Sequence, residues 1–357
     1  MKKRHCPKPM QTQRGVALIS VLLIFAIAAA LAVRMMSQGS LKTQEVSVYL
    51  QQQQLHTYSR SVESYALTLL QSDWQQDAQN GVTDAQNSTA YDHLSEDWAK
   101  AYRFPLDQMQ TGALSNQKTA SDQAEDEIHL RIEALDSYFN LNNLIPEQGT
   151  GIDLQMYNAL QHLLVQKQIP ESVADLLTDW IDSDNDPISL LGAEDNQYLL
   201  LQPPYRSASQ PMHNLSEAFL LNQIDPQSLA ELPSVITALP MASLHNLNLV
   251  LPEVMAALFQ TSSEQAKRWL LEREQTPISN VSEFLSRHQL KPELAKLFST
   301  RSQYFQLNIK VQIETQTVYL RSLVQRDLKT GELQVLARNT QPFADKILSQ
   351  VKSAQAQ

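Results

Sequence analysis

The sequence holds one cysteine, Cys6, and it lies within the first fifteen residues. The rest of the chain therefore has no disulfide of its own and no thiolate chemistry. A body of this size without disulfides is held by its core, by partners or by bound metal, which is a reason to look for a cation site. Enzyme signatures are missing too. There is no G-x-S-x-G, no Walker loop, no H-E-x-x-H and no G-x-G-x-x-G. The eight histidines are scattered without the spacing of metal ligands and read as surface or core residues. Net positive charge is confined to the start. Lys2, Lys3, Arg4, Lys8 and Arg14 face no acid there, and the whole chain carries −10, so removing those five leaves −15. That balance repels nucleic acid and anionic lipid, and suits protein partners or divalent cations.

Charge of either sign is absent from Val16 to Val33, and Ser20 is the lone hydroxyl there. As a helix this run spans about 27 Å, close to the ~30 Å of a bilayer core. The basic residues before it put the start in the cytoplasm and the body on the other side. Three readings fit. A secretory signal peptide would be cleaved near Ala28, Ala30 and Ala32, but the run exceeds the usual ~7–15 residues. A plain signal anchor would stay uncut. A prepilin-type leader would be cut on the cytoplasmic side after Gly15, keeping the apolar run. Residues 35–70 favour retention: they contain no proline, and Gly39 is the lone breaker. Leu41, Val48, Leu55, Val62, Ala66 and Leu69 fall at helical spacings. The membrane helix is thus expected to continue into an amphipathic one.

Gln13-Arg14-Gly15-Val16-Ala17-Leu18-Ile19-Ser20-Val21-Leu22-Leu23 resembles the start of the type II secretion minor pseudopilin K family. The resemblance implies cleavage by prepilin peptidase after Gly15, so that Val16 becomes an N-methylated first residue. Most pseudopilins carry Glu at the fifth mature position; this family does not, and the residue here is Ser20. There is a physical reason to expect that. The Glu of an incoming subunit compensates the buried ammonium of the subunit ahead, because an unpaired charge in apolar packing is expensive. A subunit at the tip has none ahead of it.

Beyond the rod, 71–126 is polar and weakly patterned, with loops expected at 75–81 and 110–127. Leu94–Tyr102 reads as a short helix or packing element anchored by Trp98. Trp74 and Trp98 read as core. At Ile128 the pattern changes. Ile128, Leu130, Ile132 and Ala134 alternate with polar residues, which is a half-buried strand. It runs into Asp136-Ser-Tyr-Phe139-Asn140-Leu141-Asn142-Asn143-Leu144. Here Asn amides suit tying off loop backbone while Phe139, Leu141 and Leu144 stay in the core. The segment also resembles a signature of the same family. From Pro146 to Ser299 the pattern is helical with frequent proline breaks. Predicted helices are 154–168, 171–181, 215–220, 226–232, 252–258, 264–274 and 281–286. Strands return at 304–314, 318–326 and 331–338, with Asp327–Gly331 as a hairpin loop.

The expected fold is α+β: a long N-terminal helix with a pilin-like antiparallel sheet interrupted by a large all-α insertion. The expected divisions are a leader at 1–15, the N-terminal helix at 16–70 and the first part of the pilin-like domain at 71–145. The insertion follows at 146–299, then C-terminal strands at 300–342 and a tail at 343–357.

Asp179-Trp180-Ile181-Asp182-Ser183-Asp184-Asn185-Asp186-Pro187, with Gly192-Ala193-Glu194-Asp195 downstream, is the strongest local signal. Alternating carboxylates at 182, 184 and 186 can converge on one hard cation, and calcium takes six to eight oxygens. It is not a regular EF-hand, because Pro187 sits where that loop requires Gly. The bland reading is a solvated acidic loop after a helix ending at Ile181. The segment resembles "D-W-I-D-x-D-x-x-P … G-A-E-D … Y" of pseudopilin K, which implies a calcium (Ca2+) site. Asp182, Asp184 and Glu194 are the foremost candidate ligands, followed by Asp186 and Asp195. Gln202-Pro203-Pro204-Tyr205 resembles another family segment, and by itself is a stiff extended stretch.

Glu264–Arg273 through Ser282–Leu285 looks like a helix-hairpin-helix unit, a fold often used on DNA. Its hairpin is Gln275-Thr-Pro-Ile-Ser rather than Gly-rich, so it lacks the backbone amides of a phosphate cradle. The function implied by the resemblance is a non-enzymatic minor pseudopilin at the tip of the type II secretion pseudopilus. It would initiate or cap assembly for protein export across the outer membrane. Its implied partners are other minor pseudopilins of the I and J types, with H further off, the major pseudopilin and the inner-membrane secretion platform. The body would lie in the periplasm on a single inner-membrane pass. The alternative is a membrane-anchored or secreted binding module that uses its hairpin unit on nucleic acid, and a third, weaker option is a hydrolase with an unrecognised site.

Overall fold

In the computed structural model the described residues are 14–79, 91–105, 127–146, 151–221, 223–313 and 315–343. Most of the leader, the loop expected at 110–127 (all but Glu127) and nearly all of the tail lie outside them. The chain divides into two units, residues 1–57 and 58–357. Helix α1 (Arg14–Gln79) supplies the described part of the first. It contains a stretch long and apolar enough to cross a membrane. Leu18, Ile19, Leu22, Phe25, Leu31 and Met35 are all exposed to solvent as the chain stands, as a lipid-facing helix requires.

In the second unit α1 is amphipathic. Ser59, Val62, Ala66, Leu70 and Trp74 are buried at spacings of three and four. The loop expected from Gln75 is helix as far as Gln79. The reason is tertiary. The Arg301 guanidinium lies 3.7 Å over the Trp74 ring and donates to Asp77 at 3.5 Å, so the last turn is fastened. Glu63, on the same face, accepts from Arg338 at 2.9 Å and from Ser322 Oγ.

The sheet is antiparallel throughout. Its strands are β1 (Ala101–Pro105), β2 (Glu127–Ala134), β7 (Tyr304–Ile313), β8 (Gln316–Arg326) and β9 (Leu333–Asn339), in that spatial order. Strand β2 alternates buried and half-buried residues along its whole length. Strand β1 differs from the short helix expected over 94–102. Only Asp97–Ala99 forms a 3-10 turn, and Ala101–Pro105 then pairs with Arg131–Glu127. Aromatic alternation decides it. Tyr102 and Phe104 both meet the Tyr65 ring edge-on, at 5.9 and 5.7 Å, while Trp98 packs edge-on against Phe305 at 5.3 Å. In the β8–β9 hairpin Asp327 accepts from the Lys329 and Thr330 amides. Gly331 has φ +73°, and a Cβ there would overlap the Trp74 indole.

Between β2 and its sheet neighbour β7 lies the insertion. Its helices are α2 (Leu154–Gln166), α3 (Ser172–Ile181), α4 (Asp195–Tyr198), α5 (Pro226–Glu231), α6 (Pro252–Leu258), α7 (Ser263–Gln275) and α8 (Val281–Arg287). It is not wholly α. Strand β3 (Phe139–Asn140) pairs in parallel with β4 (Ile236–Thr237), and β5 (His245–Asn246) with β6 (Phe298–Ser299). One apolar core joins Leu160, Leu177, Val254, Trp269 and Phe284 from five helices. Leu154, the first residue of α2, is exposed because it stands directly after the Asp153 cap at the helix start.

The asparagine run fastens this unit. Asn140 donates to the Met241 carbonyl at 2.9 Å and Asn143 to that of Ser243 at 2.9 Å. Asn142 donates to the Met212 carbonyl and accepts from the Met212 amide, both at 2.8 Å. Phe139, Leu141 and Leu144 are fully buried beside them. Backbone from two distant segments, at Met212 and at 241–243, is thus satisfied by amides on one 3-10 turn (Leu141–Leu144) and the residue before it.

Candidate cation site in the helical insertion

Helix α3 is buried on nearly every side, and its last turn carries Asp179 three residues before Asp182. That spacing sets both carboxylates on one face. The chain then loops through 183–193 and returns Glu194 to the same spot, at the start of α4. Asp179, Asp182 and Glu194 each bring a carboxylate oxygen within 4.8 Å of the other two. All three residues are buried, with exposures of 0%, 2% and 0%. Asp179 Oδ2, Asp182 Oδ1 and Glu194 Oε1 have no hydrogen-bond partner. Among the described residues no cationic side chain bonds any of the three.

The loop is wound around Asp179. The Ile188 amide donates to Asp179 Oδ1 at 3.0 Å, and Ser189 Oγ donates to Asp175 at 2.6 Å. Gly192 packs so closely that a Cβ would overlap the Asp179 carboxylate. On the other side Trp180 meets Tyr198 edge-on at 5.3 Å and donates Nε1 to Glu217 at 3.2 Å. Burial first, with repulsion from nearby acids that include Asp175 and Asp184, pushes these carboxyls up: Asp179 to about 6, Asp182 to about 7 and Glu194 to about 7. For Asp179 the bonds from the Ile188 and Ala193 amides oppose the rise.

Asp182 and Glu194, both expected from the sequence, meet here. Asp184 and Asp186 do not; both are exposed, and Asp184 Oδ1 accepts the Asp186 amide at 2.9 Å. Asp195 turns to Ser207 and Arg206, accepting the Ser207 amide at 3.0 Å and the Arg206 guanidinium at 3.2 Å. Asp179 was not singled out as a ligand. Its signal was the helical i, i+3 step to Asp182, hidden by the alternating pattern that follows. Gly15 and Val16 lie in the first turn of α1, with side chains outside the described residues.

A family model described as "Type II secretion system (T2SS), protein K" matches residues 137–241, which include the asparagine run and the whole carboxylate cluster. Type II secretion system protein K of Pseudomonas aeruginosa is 30% identical over 338 residues, 92% of this chain and 92% of that protein. The chain belongs to the type II secretion system protein K family. The Klebsiella pneumoniae member is 29% identical over 293 residues, 78% of this chain and 81% of its own length. The same fold recurs in the crystal structure of the GspK–GspI–GspJ complex from the enterotoxigenic Escherichia coli type 2 secretion system. That match has a TM-score of 0.63 and 23% identity, and covers 85% of this chain and 100% of the other. As a K-family member the chain is a minor pseudopilin of type II secretion, a structural part of protein transport. Its N-terminal apolar helix anchors the C-terminal body to the membrane. Nucleic-acid binding through the hairpin unit is not supported: α7 and α8 turn Trp269, Val281 and Phe284 into the core.

Proposed function

We propose that this chain stands at the tip of the type II secretion pseudopilus and initiates its assembly with the I- and J-type minor pseudopilins. Its body faces the periplasm from an inner-membrane anchor, and it acts as a structural component without catalysis. The observation that carries the reading is Ser20 at the fifth position after Gly15. A buried Glu there is useful only where a neighbouring ammonium has to be neutralised. The E. coli neighbour is described in complex with GspI and GspJ, which supports the choice of partners.

Asp179, Asp182 and Glu194 fit a calcium ion in this reading. Three orphaned oxygens on three buried carboxylates, with no cation beside them, are costly as they stand. A bound calcium would supply the compensating charge and draw further oxygens from backbone or water. The three residues would then clamp the end of α3 to the start of α4 across the intervening loop.

Co-expression of the full chain with I- and J-type pseudopilins, followed by affinity capture in detergent, tests the reading. A stable three-part complex is expected, weakened by chelator. Recovery of the chain alone with calcium present would contradict it.

A further inference from the structure

A second cluster of acids lies outside the insertion, beside the sheet. Asp73 and Asp77 are one helical turn apart on α1, and Asp92 follows in the described segment that leads to β1. These three also bring oxygens within 4.8 Å of one another. Asp92 is fully buried and its Oδ1 has no partner. Two arginines stand on one side. Arg326 donates to Asp73 at 3.2 Å and also to Asp92, and Arg301 donates to Asp77 at 3.5 Å. Each donation occupies one oxygen of a carboxylate and leaves the other.

A cavity of about 420 Å3 adjoins the cluster, lined among others by Asp73, Asp77, Glu96, His93, Tyr91 and Trp98. Glu96 adds a fourth carboxylate, held by Trp98 Nε1 at 2.7 Å and by the His93 amide at 3.0 Å. Four carboxylates against two guanidiniums leave negative charge in surplus beside the cavity, and His93, 3.0 Å from Glu96 and shifted up by that bond, offsets only part of it. A divalent cation would cancel what is left.

We propose that Asp73, Asp77 and Asp92 form a second site for a hard divalent cation, in the pilin-like body rather than the insertion. The cation would enter from the cavity that Asp73 and Asp77 line. Carboxylate oxygens and water are hard ligands, so the class is calcium or a cation of similar hardness, and not a thiophilic metal.

The site is independent of the calcium assignment at Asp179, Asp182 and Glu194, and the test separates them. Calcium and terbium would be titrated into the full chain in detergent, with terbium emission excited through the neighbouring tryptophans. Three forms are compared: wild type, D182N/E194Q and D77N. Asp77 is chosen because its arginine contact is long, so D77N keeps the fold; matched far-ultraviolet spectra and melting check this. The expected stoichiometry is two ions for wild type and one for each variant, with at least tenfold weaker binding at the site altered. One ion in wild type that D77N abolishes would support this site and remove the other. No ion left in D182N/E194Q, or D77N binding like wild type, would overturn this proposal.

Discussion

Asp179, Asp182 and Glu194 meet in the insertion with no guanidinium or ammonium bonded to them among the described residues, whereas Asp73, Asp77 and Asp92 meet beside two buried arginines. Both trios are similarly tight, but Asp73 is half-buried where all three acids of the insertion are buried. The difference lies in what each holds together. The first closes a loop of ten-odd residues within one domain, between α3 and α4. The second joins α1, the Tyr91–Asp92 segment and β8, elements far apart in the chain. In the second the arginines hold the join together when no ion is bound, and an ion there would add to them. The first can be left to an ion, and its local order then follows the ion's concentration.

The sharpest way to break this comparison is to remove a cation from one trio and a charge from the other. Arg326→Met strands Asp92 and Asp73, and should cost about 3–5 kcal/mol in denaturant unfolding followed by tryptophan fluorescence. Glu194→Gln, in chelator, should cost far less or even stabilise, because it relieves repulsion rather than creating it. Equal losses would show that the trios are alike.

Calcium gives the next largest effect. At a hundredfold excess over its dissociation constant it should stabilise the wild type by about 2.7 kcal/mol per ion. Glu194→Gln should lose the share that belongs to the insertion, read as a smaller shift of melting temperature.

Asp136, a buried carboxylate outside both trios, relies on neither device. It accepts backbone amides from Gln303 at 2.5 Å and Tyr304 at 3.0 Å. Burial still pushes it up to about 7; those amides lower it, Asp92 raises it and Arg326 lowers it. Tyr304 and His245 also face it, and burial holds His245 down at about 4. Between about pH 4 and 7 the folded chain therefore binds a proton that the unfolded chain has released, so this contribution to stability is lost as pH rises through that window. Melting scans in chelator should show a shallower decline for Asp136→Asn than for wild type. The smallest effect is expected from Asp184→Asn. Exposed and bonded only locally, Asp184 should change calcium affinity and stability by less than about 0.5 kcal/mol.

The parts legible in sequence were those with local periodicity. The apolar run, the alternation of β2 and the proline-bounded helices 252–258 and 281–287 could be drawn from spacing alone. Strand β1 could not, because Trp98 and its polar neighbours mask a five-residue alternation that only pairing with β2 stabilises. The end of α1 was hidden for a similar reason: its last turn is polar and is held by Arg301 from the far end of the chain. At the carboxylate site, the acids in the loop drew attention by number. Burial selected otherwise, taking Asp179 from a helix and leaving Asp184 and Asp186 in water. The arginine-braced trio had no sequence signal, since its acids come from positions 73, 77 and 92 and its arginines from 301 and 326.

The central claim is that the apolar helix is retained as the start of a mature pseudopilin. Intact-mass measurement of the chain purified from membranes of a host with prepilin peptidase tests it most directly. The account predicts a chain that begins at Val16 and carries one N-terminal methyl group. A mass corresponding to cleavage near Ala32, with the helix gone, would contradict it.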